Sequence, residues 1–299
     1  MTLPESVNIV EVGARDGLQN EPKVSLEAKV SLIDSLSQSG LRYIEAGAFV
    51  SPKRVPQMAD SDRVFSNIQR RPGIIYSALT PNVRGLEAAL EARADEIAVF
   101  ASASESFSQN NIHCSIAESL ARFEPVIALA QQHNIKVRGY LSCVADCPYE
   151  GATSPNMVAD IAKAMYDLGC YQISLGDTIG SGTPLRIANM IEAVSARVSL
   201  SDLAVHFHDT YGQALANIYQ ALTMGIDTID SSIAGLGGCP YAPGASGNIA
   251  TEDVIYLCHG LGIDTSVDLN TLVQASSAIC KALNRVPQSK ITLAQILHQ

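Results

Sequence analysis

The stretch Tyr171–Thr210 reads YQISLGDTIGSGTPLRIANMIEAVSARVSLSDLAVHFHDT. Its first run, YQISLGDT, has the make-up of a short buried strand that ends in polar residues. Thr183 and Pro184 then suit the start of a helix, and TPLRIANMIEAVSARV carries apolar residues at helical spacing. LAVHFHDT, from Leu203, is a second strand-like run. Strand, helix and strand in this order predict a parallel pair joined by a right-handed crossover.

The same unit recurs in both directions. Upstream lie VNIVEVG from Val7, YIEAGA from Tyr43, GIIYSALT from Gly73, EIAVFAS from Glu96 and KVRGYLSC from Lys136. Downstream lies TIDSSIAG from Thr228. Helical segments separate them. In SLEAKVSLIDSLSQSG, the residues Leu26, Val30, Ile33 and Leu36 share one face and Gly40 marks a stop. In SPNMVADIAKAMYDLGC, Ser154 suits an N-cap, Pro155 the first turn and Gly169 the C-cap. Roughly eight such units in 299 residues predict an α/β protein, a closed (β/α)8 TIM barrel. It is expected to be a single catalytic domain over residues 1–299, with extra C-terminal helices from about Asp264. The first strand–helix turn, GARDGLQNE, is not a dinucleotide fingerprint, which counts against an open doubly wound sheet.

Composition removes other classes. Thirty acidic residues against twenty basic ones give a net charge of −10. That argues against a nucleic-acid partner, which needs clustered Lys and Arg. With 47% hydrophobic and 17% charged residues, the chain can bury a large core. No run approaches the roughly 18 to 20 apolar residues of a membrane span. The start, MTLPESVNIVEVG, shows no secretory signal, so a cytoplasmic location is expected. The seven cysteines are scattered. Cys143 and Cys147 have no second pair to complete a zinc site and read as reduced structural thiols.

In a TIM barrel, chemistry belongs at the C-terminal ends of the strands. His206 and His208 sit two apart on the seventh strand, on one face and about 7 Å apart along it. A lone histidine is more often structural, but a His-x-His pair at the barrel mouth reads as a metal site. A carboxylate is the usual third ligand. Asp16 follows the first strand, one strand removed from the seventh around a closed barrel. Its alternative reading is a cap or turn residue. Arg15 is either a counter-charge to Asp16 or Glu45, or a fixed cation over a developing oxyanion. Glu45 ends the second strand and Asp177 the sixth, and buried carboxylates need partners. Arg15 is expected to serve Glu45, and the histidines Asp177. The eighth strand runs into Ala234–Asn248, AGLGGCPYAPGASGN, which holds five glycines and two prolines. Such a loop reads as a lid or ligand clamp. Cys239 within it is a functional or a structural thiol, and Asn248 an N-cap or a neutral oxygen ligand.

VEVGARDGLQNE, IEAGAFVSPKRVPQMAD, SLGDTIGSGTP, VHFHDTYGQALAN and SIAGLGGCPYAPGASGNIATEDV together resemble the 3-hydroxy-3-methylglutaryl-CoA lyase family, from about Val7 to the final helix. The resemblance implies Mg²⁺ or Mn²⁺ held by Asp16, His206, His208 and Asn248. It implies an acyl-CoA thioester substrate, cleaved to acetyl-CoA and acetoacetate in leucine degradation. It makes Arg15 the oxyanion partner, Cys239 a catalytic loop thiol, and Glu45 and Asp177 supporting carboxylates. Gln19, Arg138, Tyr140, Ser142, Ser174 and Thr178 match positions that line the pocket. His206 or Cys239 is the general acid for the departing carbanion. One departure is Asn20-Glu21-Pro22-Lys23, where animal members read Asn-Glu-Lys, so no role is carried over to Lys23. A homodimer is expected, since barrels of this family tend to dimerise. Rival readings are a lyase for a longer 3-hydroxy-3-alkylglutaryl-CoA and a Claisen-type condensing transferase. Synthases of the second kind usually carry a further C-terminal region.

Overall fold

The computed structural model describes residues 3–238 and 247–297. Its main sheet is a closed barrel of eight parallel strands, so the TIM barrel forms as expected. The strands are β1 (Asn8–Glu11), β2 (Tyr43–Ala48), β3 (Ile75–Leu79), β4 (Glu96–Ser102), β5 (Lys136–Ser142), β6 (Gln172–Asp177), β7 (Leu203–Phe207) and β8 (Thr228–Ser231). Each pairs with the next along the chain, and β8 closes on β1 with Ile9 opposite Ile229. Around them lie α1 (Leu26–Leu36), α2 (Ser61–Asn67), α3 (Val83–Glu91), α4 (Glu105–Ile112) and α5 (Ile116–Gln132). Next come α6 (Pro155–Leu168), α7 (Pro184–Ser195), α8 (Ala214–Thr223) and α9 (Thr251–Gly260). The extra C-terminal helices are α10 (Leu269–Leu283) and α11 (Lys290–Leu297).

Strand alternation separates core from site. On β5 a Cβ at Gly139 would lie 2.8 Å from Met165 of α6, so odd positions face the helices. Val137, Leu141, Ile173, Leu175, Val205, Phe207 and Ile229 are all buried on that outer face. The even positions Arg138, Tyr140, Ser174, His206 and Asp230 therefore face the barrel axis.

The helix signals hold with adjustments. Pro155 opens α6 behind Ser154, and Gly169 ends it at φ +113°, a conformation glycine adopts at no steric cost. The Ser154 hydroxyl itself makes no capping bond. The inner face of α1 is Lys29, Leu32, Ile33 and Leu36, with Val30 only half-buried. Lys29 goes inside because its Nζ donates to Asp60 at 2.5 Å and to the Gln57 carbonyl. A short antiparallel ribbon, Asp146–Cys147 with Gly151–Ala152, is inserted after β5. Asp253 anchors α11 by accepting from Ser289 Oγ at 2.7 Å and from the Lys290 and Ile291 N–H groups at 3.1 Å. Among the described residues all six cysteines are free and buried, Cys143 and Cys147 included. Burial pushes the Cys143 thiol up to about 12. Among the described residues no helix is long and apolar enough to cross a membrane.

Candidate metal and acyl-thioester site

The chain leaves β1 through a five-residue π turn, Gly13–Gly17. The turn packs too closely for side chains at either end. A Cβ at Gly13 would meet Glu11 Oε1 at 2.6 Å, and one at Gly17 would meet Ser232 Oγ at 2.7 Å. The tight turn brings Arg15 and Asp16 to the barrel mouth. Arg15 is buried, and its Nε donates to Glu45 Oε2 at 2.6 Å while Nη1 donates to Asp16 Oδ1 at 2.7 Å. Both counter-charge readings of Arg15 thus hold together. Its guanidinium also lies 5.4 Å from the centre of the Tyr140 ring, and Arg138 lies 5.3 Å from the same ring. Gln19 Nε2 donates to Asp16 Oδ1 at 2.8 Å. Burial pushes the Glu45 carboxyl up further than Arg15 pulls it down. Glu45 Oε1 is buried without a hydrogen-bond partner.

Asp16, His206 and His208 each offer a ligand atom, and the three atoms lie within 4.8 Å of one another. The two imidazole centroids are 5.5 Å apart. Asn248 joins them. Its backbone bridges to His208, and its Nδ2 donates to Asp16 Oδ2 at 2.8 Å and to the Leu236 carbonyl at 3.2 Å. With the amide nitrogen so engaged, the carbonyl oxygen is the side-chain atom left to face an ion. Asn248 is not a helix cap, because α9 begins at Thr251 with Ala250 in the cap position. The residues fit a divalent cation. His208 Nδ1 is a buried ring nitrogen with no protein partner. Burial and the neighbouring His206 push His208 down to about 4, so its imidazole is neutral, as a ligand must be. Burial raises the Asp16 carboxyl, but Arg15, His206 and the Asn248 amide outweigh it and hold it below the usual range. A donor set of two imidazoles, a carboxylate and an amide oxygen would leave coordination positions open for a substrate.

Beneath the mouth lies a residue the sequence reading passed over. Asp230, on β8, is the register partner of His206 on β7. It takes Arg138 Nη1 at 3.0 Å, Arg138 Nη2 at 2.7 Å, Ser174 Oγ at 2.7 Å and His206 Nδ1 at 3.3 Å. The available signal was an acidic residue inside the buried run TIDSSIAG, where a charge needs a partner. Asp177 does not pair with the histidines. The loop after β6 folds back so that the Gly182 N–H reaches Asp177 Oδ2 at 2.8 Å, while Oδ1 is buried without a partner. Burial lifts this carboxyl to about 6. Arg138 and Ser174 lie fully inside the barrel and reach His206 through Asp230. Tyr140 meets His206 edge-on, with ring centroids 6.1 Å apart. Ser142 is half-buried at the end of β5, and Thr178 Oγ1 accepts from the Cys143 N–H at 2.8 Å. The Gly-rich stretch begins in a 3-10 turn, Ile233–Gly235. At its two ends Gly237 (φ +115°) and Gly247 (φ +73°) touch, since a Cβ at Gly247 would meet the Gly237 carbonyl carbon at 2.7 Å. Cys239 and the expected lid lie outside the described residues.

A family model described as HMGL-like matches residues 6–279. The chain is 58% identical over 294 residues to the mitochondrial hydroxymethylglutaryl-CoA lyase of Pongo abelii, covering 98% of this chain and 90% of that protein. It is 56% identical to a Pseudomonas aeruginosa 3-hydroxy-3-isohexenylglutaryl-CoA/hydroxy-methylglutaryl-CoA lyase, covering 98% of each. Its fold superposes on the crystal structure of the Pseudomonas aeruginosa hydroxymethylglutaryl-CoA lyase with a TM-score of 0.99, at 55% identity and over 100% of both chains.

Proposed function

The chain belongs to the HMGL-like family, and from that premise we propose that it is a carbon–carbon lyase cleaving 3-hydroxy-3-methylglutaryl-CoA to acetyl-CoA and acetoacetate. The observation that carries this reading is the cluster of Asp16, His206 and His208 beside a buried Arg15, at the mouth of a barrel similar throughout to such lyases. Asp16, His206, His208 and Asn248 would hold the ion, which would supply Lewis acidity that lowers the pKa of the substrate's tertiary alcohol. Mg²⁺ and Mn²⁺ are the ions of choice.

The remaining work belongs to the protein. The hydroxyl gives its proton to a carrier group at the mouth, the C2–C3 bond breaks, and its electron pair moves to the thioester as an enolate. The alcohol carbon becomes the ketone of acetoacetate. Arg15 offsets the charge on the thioester oxygen, and Glu45 and Asp16 hold the guanidinium in place so that no reorganisation is needed. A proton then arrives at the enolate carbon, giving acetyl-CoA. Cys239 is the candidate carrier, because His206, the alternative read from sequence, has Nδ1 on Asp230 and turns its other nitrogen to the proposed ion. Gln19 and Tyr140 flank Asp16 and Arg15 and form the proposed binding wall with Ser142 and Thr178.

The test is a coupled acetoacetate assay on chelator-stripped protein, with Mg²⁺, Mn²⁺ or neither. Metal-dependent turnover supports the reading, and no turnover with either ion overturns it. The Pseudomonas aeruginosa relative, a 3-hydroxy-3-isohexenylglutaryl-CoA/hydroxy-methylglutaryl-CoA lyase, motivates a parallel arm with the isohexenyl thioester. Faster turnover there would move the substrate to a longer 3-alkyl group. A homodimer and a cytoplasmic location belong to the same proposal, and sedimentation velocity and cell fractionation check them.

A further inference from the structure

We propose that Asp230 is a positioning residue for the metal centre: it holds His206 by Nδ1 so that only Nε2 faces an ion, and Arg138 and Ser174 hold Asp230 in that posture. This rests on the reading of Asp16, His206, His208 and Asn248 as metal ligands. The β7–β8 register sets Asp230 beside His206, and both side chains face the barrel axis. Asp230 Oδ2 lies 3.3 Å from His206 Nδ1. The same oxygen accepts from Ser174 Oγ at 2.7 Å and from Arg138 Nη1 at 3.0 Å, while Oδ1 takes Arg138 Nη2 at 2.7 Å.

An ionised carboxylate can only accept, so an imidazole nitrogen facing it must carry the proton. In the neutral ring that fixes the tautomer: Nδ1 donates and Nε2 keeps its lone pair. Both terminal nitrogens of Arg138 donate to the Asp230 carboxylate inside the barrel, and a guanidinium so placed favours its ionised form. Gln172 Oε1 takes Arg138 Nε at 2.9 Å, so the guanidinium cannot swing away from Asp230. As a filler of the barrel interior the pair would be a poor choice, since apolar residues of similar size do as well or better. Its position at the back of a histidine gives the buried charges a task. Outer carboxylates of this kind are worth about 10–100-fold in metal affinity.

The test uses the full chain, stripped with chelator and without substrate. Mn²⁺ binding is followed by EPR, and the His206 ring nitrogens by long-range ¹H–¹⁵N NMR of the metal-free protein. The variants are Asp230→Ala and the double variant Asp230→Ala with Arg138→Met, in which no guanidinium is stranded. At a pH where the ring is neutral, wild type is expected to show the Nδ1–H tautomer. Both variants are expected to lose that preference and to bind Mn²⁺ about 10–100-fold more weakly. A cooperatively folded double variant with the wild-type tautomer, and Mn²⁺ affinity within about threefold of wild type, would overturn the proposal. If wild type binds no Mn²⁺, the metal reading fails, and the tautomer comparison alone still decides whether Asp230 orients His206.

Discussion

Arg15 carries two duties through one guanidinium. Its Nε and Nη1 neutralise Glu45 and Asp16, and its charge is aimed at the barrel mouth. Arg15→Gln is therefore expected to lower kcat by about 10²–10³-fold, the usual loss for one oxyanion donor. It should also cost about 3–5 kcal/mol of stability, because Glu45 is left buried and unpaired. An acetoacetate assay beside a urea melt checks both. A variant that melts with wild type would show that Glu45 is held by something else. Glu11 gives a pH signature. Burial raises it from 4.5 to about 7, although Thr251, Ile233 and Gly13 all bond to it. A carboxyl with a raised folded pKa favours the protonated form in the fold. Its contribution is whole below pH 4.5 and is lost as the pH climbs through 7. The shift corresponds to about 3 kcal/mol. Over pH 5–7 wild type should lose stability relative to Glu11→Gln, whose side chain does not titrate. Parallel slopes in denaturant melts would remove Glu11 as the cause.

At the scale of elements, the site depends on two close turns. The π turn at Gly13–Gly17 and the contact of Gly237 with Gly247 are built from glycines because a Cβ would overlap a neighbour. Gly237 sits at φ +115°, and a Cβ there would stand 2.8 Å from Asn248 Nδ2. Gly237→Ala should cost about 1–3 kcal/mol from backbone strain. It should also weaken Mn²⁺ binding by pushing Asn248 off Asp16. A denaturant midpoint and a Mn²⁺ titration measure the two effects, and unchanged values in both would show that this contact does not set Asn248. The long composition-biased stretch AGLGGCPYAPGASGN was legible as a special loop. Its closure through two left-handed glycines was not, because residues ten apart along a loop meet only when the loop folds.

At the scale of the molecule, the candidate ligands come from the turn after β1, from β7 and from the segment after β8. An ion there would tie the turn after β1 to the end of β7 and the segment after β8, around the seam where the barrel closes. Ligand linkage predicts about 2.7 kcal/mol of added stability at a hundred times the Kd. Thermal melts with Mn²⁺, with chelator, and with Asp16→Asn check this. A shift retained by Asp16→Asn would place the ion elsewhere.

Local pattern determined the barrel, the placement of polar residues at its strand ends, and the pairing of His206 with His208. The reason is that strand periodicity, helix stops and Gly or Pro punctuation act over a few residues. The Arg15–Glu45 pair was legible in the sequence, but other pairings between distant residues were decided by tertiary structure. Asp177 reads from sequence as the histidine partner, yet the loop after β6 folds back and gives it the Gly182 N–H. Asp230 reads as one more buried strand residue until the register of β7 and β8 sets it against His206. Asn248 reads equally as a cap or a ligand until the start of α9 at Thr251 removes the first. In each case the sequence supplies a polar group that must be satisfied, and only the closed barrel determines which partner lies within hydrogen-bond reach.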